Sequence, residues 1–237
     1  MQSVNGFCYY ILFVDHFTRF TWIYLLKSKL EIYSKFILFK AMIENQFSSK
    51  IKTLRSDGGG EYTFFVVKSY QLQYGIIHQI SCPYTPQQNG FVEKKHRHLI
   101  ETTITLLSQA SMSTSYWSYA ILTTVSLINL FPTFVLNFVS PRYKLYSTPL
   151  DLLKLKVFGC VCHPHLRPYT SHKLDPRTKE CLFLGYSSSS KGYLCLDVQS
   201  QHIYTSRHIL FNESKFPCPT LSSSFSLVIK PSLSSCF

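Results

Sequence analysis

Phe7–Val14 is an unbroken apolar and aromatic run, and Phe20–Leu26 repeats it after the link Asp15-His16-Phe17-Thr18-Arg19. Two runs of strand length joined by a short polar link predict a buried hairpin. From Lys29 to Gln46 the apolar positions Leu30, Tyr33, Ile37, Phe39 or Lys40, and Ile43 recur at roughly helical spacing, which predicts a helix packed along one face. Ile51–Ser56 reads as a short strand, residues 61–74 as one or two short helices, and Ile76–Ile80 as another strand. Pro83 and Pro86 stiffen the loop that follows. A helix is then expected from about Gln87 to Ser108, with Val92, Leu99, Thr103 and Leu106 as its core stripe.

From Thr102 to Pro141 the chain has 40 residues without Asp, Glu, Lys, Arg or His. Tyr119–Val139 is long enough to cross a bilayer. Pro132, Asn129, Asn137 and the many Ser and Thr argue instead for two packed helices of ordinary core length. The pattern breaks around Pro141–Pro149, a candidate boundary. Beyond it, short β-prone runs at Val157–Cys162, Cys181–Tyr186, Tyr193–Asp197 and Ile203–Ile209 predict a small antiparallel sheet or barrel. The last 24 residues hold eight Ser and three Pro, a composition expected to lack fixed structure. The expected domains are therefore 1–145, 155–213 and a tail at 214–237.

Composition adds a partner. The 237 residues carry 24 Lys and Arg against 12 Asp and Glu, a net charge of +12 with pI about 9.3. The excess is spread along the chain, so no single tail explains it; nucleic acid is the first candidate for such a surface. Met1-Gln-Ser-Val-Asn-Gly has neither the basic start nor the apolar stretch of a signal peptide. The eight cysteines are accordingly read as reduced thiols, in the nucleus or cytoplasm. Cys160-Val-Cys162-His163-Pro-His165 crowds four candidate ligands into six residues. Zinc sites normally separate two ligand pairs by a dozen residues or more, so a strand is the better reading of this cluster.

The candidate chemistry lies in two carboxylates. Asp57 closes the predicted strand Ile51–Ser56 and opens Gly58-Gly59-Gly60-Glu61-Tyr62; Glu93 stands 36 positions later on the predicted helix. Two carboxylates that converge on a divalent ion suit phosphodiester chemistry. In the competing reading Asp57 caps the next helix and Glu93 pairs with Arg97.

Three stretches carry a resemblance: Phe13-Val-Asp15-His-Phe-Thr-Arg19, Lys52-Thr-Leu-Arg-Ser-Asp57-Gly-Gly-Gly-Glu61-Tyr62, and Pro83-Tyr-Thr-Pro86-Gln-Gln-Asn-Gly90-Phe-Val-Glu93. Together they resemble the integrase core of Copia-type long-terminal-repeat retrotransposons. Val157-Phe158-Gly159-Cys160, Lys173-Leu174-Asp175, Cys181-Leu-Phe-Leu-Gly185-Tyr186-Ser187 and Lys191-Gly192-Tyr193 resemble the SH3-like barrel that follows it. The resemblance runs in order from about residue 7 to 213. It implies a ribonuclease H-like mixed sheet with flanking helices, then a small all-β barrel. The implied activity is metal-dependent strand transfer on DNA, with Mg²⁺ or Mn²⁺, element ends and target as DNA partners, and self-association. By the same resemblance Asp57 and Glu93 are the second and third catalytic carboxylates and metal ligands. Lys94, Lys95 and Arg97 are placed along DNA by position and charge.

The resemblance also exposes a departure. In that family the first catalytic Asp lies on a strand upstream of the hairpin, and only six residues, none acidic, precede Phe7 here. Asp15 matches a second-strand Asp that is not one of the three ligands. The absent strand would sit between those of Phe7–Val14 and Ile51–Ser56, leaving both with an unpaired edge. Gly58, His16 and His96 stand where the family usually has Asn, Asp and Asn. The expectation is an integrase-derived nucleic-acid-binding chain that holds metal weakly and does not itself catalyse. The competing expectations are an active core completed by a longer precursor and a membrane-associated protein built around 119–139.

Overall fold

A computed structural model describes residues 1–56, 65–81, 90–149, 151–169, 176–187 and 190–216. Its described residues divide into two compact units, one formed by Met1–Phe13 with Trp22–Arg97, the other by Val14–Thr21 with the residues from His98 to Phe216.

The first unit is built on strands β1 (Tyr9–Val14) and β2 (Thr21–Leu26), helix α1 (Ile32–Phe47), strand β3 (Thr53–Ser56), helix α2 (Phe65–Gln73) and strand β4 (Ile77–Ile80). β1 and β2 pair as the expected hairpin, bounded by the bonds Cys8 N–H to Leu26 O and Asp15 N–H to Phe20 O. β3 and β4 pair in parallel, Thr53 opposite Ile77 and Ser56 opposite Ile80. Among the described residues these remain two separate two-stranded sheets.

The core of this unit joins Ile11, Phe13 and Leu26 of the hairpin to Ile32, Phe36 and Phe39 of α1 and to Ile76. The Phe13 and Phe39 rings stack at 4.1 Å. α1 thus buries Ile32, Phe36, Phe39 and Lys40, so the predicted stripe is met at Phe39 and Lys40 but drifts out of phase toward its start, with Leu30 82% exposed. The cause is a capping box before the helix. Ser28 Oγ accepts from Leu30 N–H and Glu31 Oε1 accepts from Ser28 N–H, which turns residues 29–31 into a 3₁₀ turn. In so apolar a stretch, periodicity alone does not fix the phase. Lys40, though buried, keeps its charge paired with Glu44 at 2.7 Å and lies 4.1 Å from the centre of the Tyr74 ring.

Helix α3 (Gly90–Gln109) follows, then α4 (Trp117–Leu130) and the short α5 (Pro141–Tyr146). The uncharged stretch therefore holds the end of α3 and the whole of α4, and Pro132 lies just beyond α4. No helix among the described residues is long and apolar enough to cross a membrane. α3 buries Leu99, Thr103 and Leu107, close to the predicted stripe.

In the second unit strands β5 (Val161–Pro164), β6 (Cys181–Tyr186), β7 (Tyr193–Leu196), β8 (Ile203–Ser206) and β9 (Ile209–Asn212) form an antiparallel sheet in the order β8-β7-β6-β5-β9. β6 lies at its centre and shows strand alternation directly. Leu182 and Leu184 pack with Leu107, Ala110, Tyr119 and Ala120 of the helices, while Cys181 and Phe183 face Cys160, Cys162 and Cys195. Two predicted strands are corrected. Val157–Cys162 becomes regular strand only from Val161, after a turn in which Gly159 takes φ +76°, although Gly159 N–H already donates to Phe183 O. Ile203–Ile209 divides into β8 and β9, which pair with opposite ends of the sheet.

Candidate functional site

β3 and β4 end side by side. Ser81 N–H donates to Ser56 O at 3.0 Å, and Ser56 Oγ lies 2.8 Å from His78 Nε2. Burial and the charge of nearby Lys68 pull the His78 pKa below its ordinary value. Asp57, next in the chain, lies outside the described residues, so its distance to Glu93 is not part of this site's geometry. One register step back, Arg55 stands opposite Gln79. Gln79 Oε1 accepts from Arg55 Nε at 3.3 Å and from Nη2 at 2.9 Å.

The other expected residues ride on the first turns of α3. Glu93 lies in the opening turn, half-buried. Lys94 and Arg97 are exposed, and Lys95 is half-buried. Spacings of three and four bring Glu93, Lys94 and Arg97 onto adjoining helix faces. No ion pair joins Glu93 to Arg97 among the described residues. His96 turns inward, where its Nδ1 lies 2.9 Å from the Tyr10 hydroxyl of β1 and its ring meets Tyr10 edge-on at 5.5 Å. Burial lowers the His96 pKa.

Asp15, the sequence's other acid near the hairpin, is engaged in its own turn. Its Oδ2 accepts from Thr18 N–H at 2.8 Å and from Thr18 Oγ1 at 2.6 Å. The Cys160–His165 cluster is divided by its strand: Cys160 and Cys162 lie in the thiol core, whereas the adjacent His163 is only half-buried. No group of three or more His, Cys, Asp or Glu among the described residues is placed to hold a metal ion. Glu93 alone of the expected ligands is described, and one carboxylate does not make a magnesium site. The Arg55–Gln79 clasp and the Tyr10–His96 contact were missed by sequence reasoning. Both depend on which strands and helices meet, and no local spacing encodes that.

The domain comparisons agree with this architecture. The integrase core domain matches residues 1–86, and the retroviral polymerase SH3-like domain matches residues 160–224. An integrase core is thus followed by a five-stranded SH3-like sheet, and the fold is ribonuclease H-like α/β succeeded by an all-β module. The chain is 50% identical over 218 residues to the "Retrovirus-related Pol polyprotein from transposon RE2" of Arabidopsis thaliana, covering 92% of this chain and 15% of that protein. It is 34% identical over 215 residues to the corresponding polyprotein from transposon TNT 1-94 of Nicotiana tabacum, covering 91% of this chain and 16% of that one. These homologues are Copia-type Pol polyproteins, of which this chain spans about one-sixth. A solved chain of a simian T-cell lymphotropic virus intasome in complex with PP2A regulatory subunit B56 gamma is 15% identical. It matches with a TM-score of 0.49 over 87% of this chain and 72% of that one, a likeness too slight to carry an argument. Integrase cores as a family use divalent metal ions.

Proposed function

We propose that this chain is a DNA-binding integrase fragment that does not itself carry out strand transfer. The observation that carries the reading is the exposed pair Lys94 and Arg97 on the opening turns of α3, beside half-buried Glu93, in a chain of net charge +12. Cations on an exposed helix face neutralise phosphates without reading sequence, and their contribution falls as salt displaces them. Lys95 supports the same face from its edge.

Catalysis needs more than these 237 residues contain. Asp57 and Glu93 are two carboxylates, and two can hold one hydrated Mg²⁺ or Mn²⁺ only weakly. By the resemblance, the family's first catalytic Asp lies on a further strand that these 237 residues do not supply. A longer polyprotein would restore activity by supplying that strand. Domain limits of 1–145 and 155–213, self-association on DNA and a nuclear or cytoplasmic site accompany this reading.

The test combines two assays on the full chain. Labelled duplex DNA should bind with an affinity that falls steeply as KCl rises, and Lys94→Ala with Arg97→Ala should flatten that dependence. Incubation with Mg²⁺ or Mn²⁺ and element-end DNA should give no strand-transfer product. Product that disappears in Glu93→Gln would overturn the inactive reading; binding indifferent to salt would overturn the electrostatic one.

A further inference from the structure

The carboxyl ends of β3 and β4 open onto a cleft of about 260 Å³ lined by Arg55, Gln79, Ile80 and Ser81. Ligands of open α/β sheets gather outside the carboxyl ends of parallel strands, and this cleft occupies that position. Among the described residues that line it, the charged one is Arg55, exposed and held by its register partner.

The manner of holding matters. Gln79 Oε1 takes the Nε–Nη2 edge of the guanidinium. About three of the five guanidinium N–H donors remain, including the whole Nη1 group. A carboxylate in the place of Gln79 would orient Arg55 and cancel its charge. The neutral amide orients it and leaves the charge in force, and no carboxylate pairs with Arg55 among the described residues. A guanidinium fixed in direction, uncompensated and facing a cleft matches the fork geometry of a phosphate oxygen pair. Ser81 adds a hydroxyl to the wall; its bond to Ser56 O is long, at 3.4 Å. Lys68, exposed on α2, is near enough to act on His78 of β4.

We propose that this cleft is a phosphodiester subsite, in which Arg55, aimed by Gln79, grips one backbone phosphate of a DNA strand. Asp57, the expected metal ligand, follows Arg55 by two residues in the chain. The proposal rests on the DNA-binding reading above and adds to it a contact separate from the α3 face. Gln79 is a positioning residue, and Arg55 makes the contact.

The experiment is fluorescence anisotropy of a labelled 20-base-pair duplex with the full chain over a KCl series. Arg55→Ala should weaken binding about tenfold and reduce the magnitude of the log–log salt slope by about one. Gln79→Ala keeps the charge and loses the aim, so affinity should fall a few-fold with the slope nearly unchanged. Arg55→Gln keeps a hydrogen-bonding partner for Gln79 and should reproduce the slope change if Arg55→Ala fails to fold. Inorganic phosphate at millimolar concentration should compete with DNA at the unmodified chain more than at Arg55→Gln; equal competition at both would mean that the cleft takes no phosphate. An Arg55→Gln chain with unchanged affinity and slope would overturn the subsite while leaving DNA binding intact. An unmodified chain that binds no DNA would overturn the underlying reading first.

Discussion

The side chain of Asn129 grips the backbone of Thr21 from both sides: Nδ2 donates to Thr21 O at 2.8 Å, and Oδ1 accepts from Thr21 N–H at 2.9 Å. Both residues are buried. The amide thus does what a backbone rung would do, satisfying the first residue of β2 from within α4. Asn129→Ala leaves a buried donor and a buried acceptor without partners, and should cost about 2–4 kcal/mol of unfolding free energy. Urea denaturation of the two chains measures it. A loss below about 0.5 kcal/mol would show that water replaces the amide at no cost.

Among the described glycines, Gly159 leaves the least room for a side chain. A Cβ placed there would stand 2.2 Å from Ala110 Cβ, at a φ of +76° that side chains resist. Ala110 is itself fully buried at the end of α3. Gly159→Ala should destabilise by about 2–5 kcal/mol through overpacking and left-handed backbone strain together. Adding Ala110→Gly should recover the steric part only, so a thermal melt of the double variant should fall between the two.

Asp197 closes β7 with its carboxylate buried. Burial alone would raise its pKa, but hydrogen bonds from Lys179, Ser200 Oγ and Gln199 N–H outweigh it and hold the group at about 2. A folded pKa below the unfolded value means stability that is fully present above about pH 4 and lost as pH falls toward 2. Asp197→Asn should therefore be less stable than the parent at pH 7, by about 1–3 kcal/mol. The gap should close as the pH approaches 2. A gap independent of pH would assign the effect to packing.

His96 is held neutral by burial beside Tyr10. Its pKa lies below the usual histidine value, so acidification protonates the unfolded chain first and stability falls as pH drops below about 6.5. His96→Asn should remove that part of the acid sensitivity. Proton NMR should place the His96 midpoint below the usual histidine value. A midpoint at or above the ordinary value would contradict the buried arrangement.

Much of this architecture was legible in the chain. Cys181–Tyr186 is a strand with the predicted limits, because turn residues bound it and β-prone residues fill it. The hairpin before α1 was equally plain. The phase of α1 was not, since nearly every turn offers an apolar residue to each face and the capping box at Ser28 decides. The site was half legible. Glu93, Lys94 and Arg97 could be placed on one helix by spacing alone. The clasp of Arg55 by Gln79 could not, because it depends on a parallel pairing between strands more than 20 residues apart.

Cys160, Cys162, Cys181 and Cys195 lie together in the core of the five-stranded sheet, and burial pushes the Cys160 and Cys181 thiols up to about 12. A thiol so raised is almost wholly unreactive at neutral pH, since alkylation needs the thiolate. The sheet therefore carries its own unfolding reporter. A brief pulse of iodoacetamide should modify these four positions only in molecules whose sheet has opened, and peptide mass spectrometry then counts open molecules residue by residue. Half-buried Cys8, in the other unit, supplies the internal reference.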